Sequence, residues 1–218
     1  MTSDEMVSAL VSDLRPVSPL RHPAVRAGRW LLVAVVGGTL AVLAYGVRPD
    51  WRAVGVTPEF LIQTGLLVMA TVVAAAGSLT LAVPGERLSL VRRAAPVAAV
   101  AAWAAWLAID VGMSTGLVID NGWGCVGKAI SIAAIPGVAL LVMVARGAPI
   151  ETLRALTLAA LAAAAVGAIG VGMACPNVDA AHLLMWHVSP VIALPGAAAL
   201  IAAPLVEAAT RRRSHALR

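Results

Sequence analysis

Six long apolar runs constrain this chain more than any other feature. Each is close to the roughly 20 residues that an α-helix needs to cross a hydrocarbon core of about 30 Å. The runs cover residues 30–47, 60–83, 94–118, 125–145, 155–174 and 183–206. The chain is 61% hydrophobic and 12% charged, with a mean hydropathy of +0.92, which excludes an ordinary soluble domain. We therefore predict an all-α, polytopic membrane protein with six transmembrane helices.

The charged residues predict the orientation of this bundle. Residues 1–29 precede the first run as an aqueous arm, and residues 207–218 follow the last run as a basic tail. With six spans, the arm, the tail, and the second and fourth connections lie on one side of the membrane. Of the 16 Lys and Arg, 13 lie on that side, and the others are Arg48, Arg52 and Lys128. The positive-inside rule therefore predicts cytoplasmic termini, and lipid contact explains the basic pI without direct nucleic-acid binding.

Two cysteines are the candidate reactive residues. Cys125 follows the third run and Cys175 follows the fifth, so the predicted topology places both on the outer face. In a bacterial-type envelope that face is oxidising, and a disulfide can persist there. Three interpretations stay open: a structural pair, bonded or simply packed; a sensor of oxidants or soft metal ions; and a catalytic thiol. The sequence holds no Cys-x-x-Cys motif, which normally supplies the low-pKa attacking thiol, so catalysis is disfavoured.

A soft-metal site is the more specific form of the sensor interpretation. Asp179 and His182 are three residues apart, so that both can face one ion from a helix. If the two outer loops meet, the predicted ligands are Cys125, Cys175, Asp179 and His182. We leave out His187, because five residues turn an α-helix by about 140° and would point His182 and His187 in different directions.

The same stretch also has a purely structural interpretation. Asn177 or Asp179 can cap the sixth helix. Trp186 and the two histidines can then lie in the aromatic belt at the membrane interface. On this interpretation no cofactor is required.

Two functions other than sensing are open to a six-helix bundle: transport or conduction, and thiol catalysis. A small transporter or channel usually buries several charged groups along a path, whereas Asp110 is the one carboxylate late in the third run and the other runs are almost free of charge. A membrane thiol enzyme is disfavoured by the spacing of the cysteines. A small transporter or channel therefore remains as the alternative function.

The N-terminal arm carries an amphipathic pattern. Ser3, followed by two acidic residues, predicts a helix start, and Pro16 is expected to end the helix. Apolar residues recur between them at a spacing of three to four: Met6, Val7, Leu10, Val11 and Leu14. An isolated helix of about 12 residues is marginal in water, and its acidic start disfavours anionic lipid. The arm is therefore predicted to fold onto a partner protein, with a disordered tail as the alternative.

Six short motifs spread along the chain resemble one known family. They are LVSDLRPVSPL at Leu10–Leu20, YGVRPD at Tyr45–Asp50, LAVPGE at Leu81–Glu86, WGCV at Trp123–Val126, RGAP at Arg146–Pro149 and CPNVDAAHLLMWH at Cys175–His187. In this order and spacing, the chain resembles the NrsF-type membrane anti-sigma factors, six-helix proteins of proteobacterial inner membranes.

The resemblance implies a function that composition and periodicity do not. It implies that the arm holds an extracytoplasmic-function (ECF) sigma factor at the inner membrane, and that the outer cysteines take part in sensing. Sigma contacts are then expected on the apolar face of the arm and the following Pro-Val: Met6, Val7, Leu10, Val11, Leu14, Pro16 and Val17. Our leading hypothesis is an anti-sigma factor that releases its sigma factor when oxidant or heavy metal attacks Cys125 and Cys175.

Overall fold

The architecture comes from a computed structural model that describes residues 2–12, 20–113 and 120–216, apart from the side chains of Leu10 and of residues 212–216. Within these ranges the chain is all-helical and contains no strand. The helices are α1 (Ser3–Ser12), α2 (Pro23–Tyr45), α3 (Trp51–Val54), α4 (Pro58–Leu81), α5 (Leu90–Met113), α6 (Trp123–Ala145), α7 (Thr152–Ala174), α8 (Ala180–Leu183) and α9 (Ser189–Ala216). A single π-helical turn, Leu184–Val188, joins α8 to α9.

Six of these helical segments are long and apolar enough to cross a membrane, which confirms the predicted fold class. They are α2, α4, α5, α6, α7 and the continuous segment from α8 to α9. α2 begins at Pro23, seven residues before the predicted start at residue 30. His22 caps it with a side-chain nitrogen 3.3 Å from the backbone nitrogen of Ala24, and proline is favoured in the first turn. α2 therefore begins inside residues 1–29, the segment predicted as the cytoplasmic arm.

The last helix also extends beyond its predicted end. α9 continues to Ala216, through most of the segment that was predicted as a basic tail. The third span ends at Met113 in the described part of the chain, and residues 114–118 of the predicted run lie outside it. At the N-terminus, α1 begins at Ser3 as predicted, whereas Leu14, Pro16 and Val17 lie outside the described residues.

α7 is the central helix of the bundle. It packs against α4, α6, α9 and α2. In its most apolar stretch 56% of the residues are buried, compared with 22–33% in the other five spans. The small residues of this helix permit close packing, as the sequence predicts. A Cβ at Gly167 would lie 2.4 Å from the carbonyl oxygen of Ala129, so only glycine allows α6 and α7 to approach this closely.

Candidate functional site

Four side chains with sulfur or nitrogen donors meet at one end of the bundle, the end that the charge distribution predicts to face outward. We call this group, formed by Cys125, Cys175, His182 and His187, the outer cluster. One ligand atom from each residue lies within 4.8 Å of the others. The two Sγ atoms are 3.3 Å apart as free thiols, and Cys175 Sγ is 3.6 Å from His182 Nε2. Cys175 and both histidines are each 3% exposed, and Cys125 is half-buried.

Four separate elements supply these side chains. Cys125 lies in the first turn of α6, and Cys175 directly follows the last residue of α7. His182 lies on α8 and His187 in the π-helical turn. The close contact of α6 with α7 at Ala129 and Gly167 lies one to two turns below the sulfurs and holds these two helix ends together.

The π-helical turn corrects our prediction about the histidines. In a regular α-helix residues five apart point in different directions, but a π-helical turn pairs residue i with residue i+5. The rings of His182 and His187 accordingly lie together, with centroids 5.5 Å apart. Pro190 has no N–H to donate to the carbonyl of Trp186, and the hydroxyl of Ser189 donates to Met185, so regular α-helical bonding is weakened here.

Asp179 lies outside the outer cluster. Its Oδ1 accepts hydrogen bonds from the backbone N–H groups of Ala181, at 2.9 Å, and of His182, at 3.2 Å. This is the N-cap of α8, as the structural interpretation of the sequence proposed. The fourth residue of the cluster is therefore His187, and not Asp179 as we predicted.

Asp120, which our sequence analysis did not select, orients one of the histidines. Its Oδ1 lies 2.5 Å from His182 Nδ1, which leaves Nε2 of that ring facing Cys175. The hydrogen bond from His182 holds the pKa of the Asp120 carboxyl below its usual value. Asn177 donates to Asp120 Oδ2 at 3.0 Å, and the Trp186 indole donates to its backbone carbonyl at 2.8 Å. A carboxylate behind a histidine is the usual outer partner of a metal-binding imidazole.

A buried arginine fixes the loop that carries Cys175. Arg48, which is 4% exposed, pairs with both carboxylate oxygens of Asp50 and donates to the carbonyl of Pro176 at 3.0 Å. Its backbone N–H also donates to Met173 at the end of α7. The Arg48 guanidinium holds the pKa of the Asp50 carboxyl below its usual range. The Arg-Pro-Asp of the motif YGVRPD was the sequence signal that could have identified this contact.

The donor set fits a soft or borderline cation. Zinc prefers tetrahedral Cys and His ligation, and thiolates also select Cu(I). In such a tetrahedron the sulfurs would be about 3.8 Å apart, and a sulfur and an imidazole nitrogen about 3.6 Å apart. The observed distances of 3.3 and 3.6 Å need little adjustment. The thiols would have to move closer by about 1.3 Å to form a disulfide with its 2.05 Å bond.

At the other end of the chain, α1 leaves its apolar face uncovered. Met6, Val7 and Val11 are 49%, 57% and 58% exposed. Every other side chain of α1 that is described is exposed as well. This apolar face is therefore accessible to a partner protein.

Comparison with known proteins assigns the family. A family described as the negative regulator of sigma F matches residues 10–207, nearly the whole chain. The protein belongs to the NrsF family. No curated protein and no solved structure matches the chain. The NrsF match confirms the resemblance that the motifs predicted, and it covers the arm from Leu10, the first five spans, the sixth span as far as residue 207, and the outer cluster.

Membership of the NrsF family supports negative regulation of a sigma factor and implies a sigma factor as the partner. NrsF is a family of regulators and not a known family of enzymes. Together with six apolar helices, this supports a multi-pass membrane regulator, as the leading hypothesis predicts.

Proposed function

We propose that this chain is a membrane-bound anti-sigma factor with sensing and binding sites at opposite ends. The N-terminal arm holds an ECF-type sigma factor at the bacterial inner membrane, with both termini in the cytoplasm. The outer cluster lies on the periplasmic side and binds a soft metal ion or becomes oxidised. Either event releases the sigma factor. The family match over residues 10–207 is the observation that carries this proposal.

The exposure of α1 supports the arm as the sigma-binding element. A helix of ten residues is shorter than the roughly 12–15 residues at which isolated helices become stable in water. Met6, Val7 and Val11, the large apolar side chains described in this helix, are exposed and have no core to cover them. A groove on a partner protein would bury this face and stabilise the helix at the same time. The acidic first turn, Asp4 and Glu5, favours a protein surface over anionic lipid.

The close approach of two thiols and two imidazoles supports sensing at the outer cluster. A metal ion would replace the thiol protons and draw four side chains from four elements toward one point. Peroxide would instead take two electrons and two protons from the thiols, leaving one disulfide and two molecules of water. Both reactions change how the ends of α6 and α7 lie against α8 and the π-helical turn.

Co-purification tests the arm. The full chain is recovered from its native host, and the bound sigma factor is identified by mass spectrometry. Val7→Asp with Leu10→Asp should abolish recovery of the sigma factor, because two charges then occupy the apolar face. Ser8→Asp with Ser12→Asp adds the same charge on the opposite face and should leave recovery unchanged. Equal recovery from both double variants would remove the arm from the mechanism.

A second experiment tests the sensor. Cys125→Ser with Cys175→Ser should abolish induction of the target promoter by cadmium or peroxide, while repression in unstressed cells persists. An unchanged response would make the thiols structural. Labelling of the reduced cysteines by a membrane-impermeant maleimide in spheroplasts, and not in inverted vesicles, is expected if the cluster is periplasmic. The reverse pattern would contradict the orientation.

A further inference from the structure

α6 connects the outer cluster to the base of the arm. Cys125 lies in its first turn, and Met143 lies two residues before its last residue, Ala145. At 1.5 Å per residue these two positions are about 27 Å apart along the helix. The neighbour of α6 at its inner end is the start of α2, and only residues 13–22 lie between α2 and α1 along the chain. A displacement of α6 can therefore reach the arm through its contact with α2.

A buried tryptophan forms the first bond of this contact. Trp30 of α2 is fully buried, and its indole Nε1 donates to the backbone carbonyl of Pro136 at 2.8 Å. Pro136 lies inside α6 and has no N–H, so the carbonyl of Ile132 loses its helical partner and α6 is weakest at this point. Trp30 thus holds α2 to α6 at the point where α6 would otherwise bend most easily.

A buried arginine forms the second bond. Arg26 lies one turn before Trp30, is 6% exposed and donates through Nη2 to the carbonyl of Met143. Carbonyls in the last turn of a helix favour a cation. The other terminal nitrogen, Nη1, has no hydrogen-bond partner in the described structure. If the carbonyl of Met143 moved away, Nη2 of this buried guanidinium would also lose its hydrogen bond, at a cost in free energy. Arg26 should therefore follow α6 when α6 moves.

Close packing prevents α2 and α6 from sliding past each other. A Cβ at Gly37 would lie 3.2 Å from Cγ2 of Ile135, directly next to Pro136. The two side-chain bonds lie on the inner side of this contact and the outer cluster lies on the other side.

We propose that Trp30 and Arg26 transmit the state of the outer cluster to the arm by holding α2 to the backbone of α6. They are positioning residues: neither contacts the cluster or belongs to α1. A ligand or disulfide at Cys125 tilts α6 as a whole, and the two bonds at Pro136 and Met143 carry this tilt to the first two turns of α2. This inference rests on the sensing part of the proposed function.

Hydrogen exchange of the full-length chain in lipid nanodiscs tests the coupling. One sample receives Cd²⁺ alone. A second sample receives diamide, which is reduced to its hydrazine as it takes two electrons and two protons from the thiols. Exchange is followed at residues 120–130, which report the outer end, and at residues 20–30, which report the base of the arm. In the unmodified protein both segments should change.

Trp30→Phe keeps an aromatic ring but removes the indole donor, so the change at residues 20–30 should be lost while that at residues 120–130 remains. The matched control is Trp103→Phe. Trp103 is equally buried, and its indole donates to Gln63 at 3.2 Å between α5 and α4, away from the contact of α2 with α6. Arg26→Met should likewise lose the inner response, and Arg26→Lys should restore it by returning a cationic donor.

Identical responses in Trp30→Phe and Trp103→Phe would overturn the coupling, as would an outer change without an inner one in the unmodified protein. If neither reagent alters residues 120–130, the sensing proposal fails by itself. The coupling is then decided with Gly122→Ala, whose Cβ would lie 2.2 Å from Trp186 Cγ and disturb the start of α6 directly. An altered exchange at residues 20–30 that disappears on adding Trp30→Phe supports the coupling, and an unaltered one contradicts it.

Discussion

Gly167→Ala tests how the fold positions the two sulfurs. The new Cβ would lie 2.4 Å from the carbonyl oxygen of Ala129, whereas ordinary contact begins at 3.4 Å. Because that oxygen belongs to the backbone of α6, the two helices must separate by about 1 Å. Cys125 lies one turn above Ala129, so the Sγ–Sγ distance should increase from 3.3 Å toward about 4.3 Å.

The expected energy follows from two opposing effects. Overpacking a close contact costs about 1–3 kcal/mol, and replacing glycine by alanine within a helix returns about 0.5–1 kcal/mol. Gly167→Ala should therefore destabilise the bundle by about 0.5–2 kcal/mol. Gly127→Ala is the matched control, because Gly127 lies in α6 two residues before Ala129 and its Cβ would meet nothing within 4 Å. This control should be neutral or slightly stabilising.

The assay is thermal unfolding of the purified protein in detergent, together with Cd²⁺ affinity by calorimetry. Gly167→Ala should lower the unfolding midpoint and weaken Cd²⁺ binding, whereas Gly127→Ala should do neither. If Gly167→Ala raises the midpoint as the control does, α6 and α7 are not held at the distance described, and our account of how the sulfurs are brought together is falsified.

Three further outcomes are expected at the outer cluster. Asp120→Asn should weaken Cd²⁺ binding about 10- to 100-fold in calorimetry, since the anionic partner of His182 is lost, and Glu59→Gln, an exposed carboxylate change on the same side, should not. The pKa of Asp120 is lowered in the folded protein, so the contact of Asp120 with His182 stabilises the outer loop above the ordinary carboxyl pKa of about 4. This stability should fall as the pH drops below that value, and the fluorescence of Trp186 measures the loss. An equal pH response in Asp120→Asn would contradict this expectation. Gly122→Ala should displace Trp186 and break its 2.8 Å bond to Asp120, shifting the indole emission, and unchanged emission would contradict the contact.

The sequence determined the features that depend on local patterns. Apolar runs of about 20 residues predict spanning helices wherever they occur, because the backbone must satisfy its own hydrogen bonds in lipid. Thr2 Oγ1 accepts from the Glu5 N–H, and Asp179 Oδ1 accepts from the N–H groups of Ala181 and His182, so the starts of α1 and α8 follow from the chain itself. The family motifs are likewise local, and they predicted the family that the comparison confirmed.

Only the tertiary structure decided which side chains form the cluster. His187 was excluded by α-helical periodicity and is brought to His182 by a π-helical turn, a local departure that a periodic pattern does not reveal. Asp120 is 62 residues from its partner His182, and Arg48 is 128 residues from Pro176, so their contacts depend on how the helices pack. The same holds for Trp30 and Pro136, 106 residues apart. Residues this far apart meet only when the bundle forms, because the residues between them do not specify the separation of the packed helices.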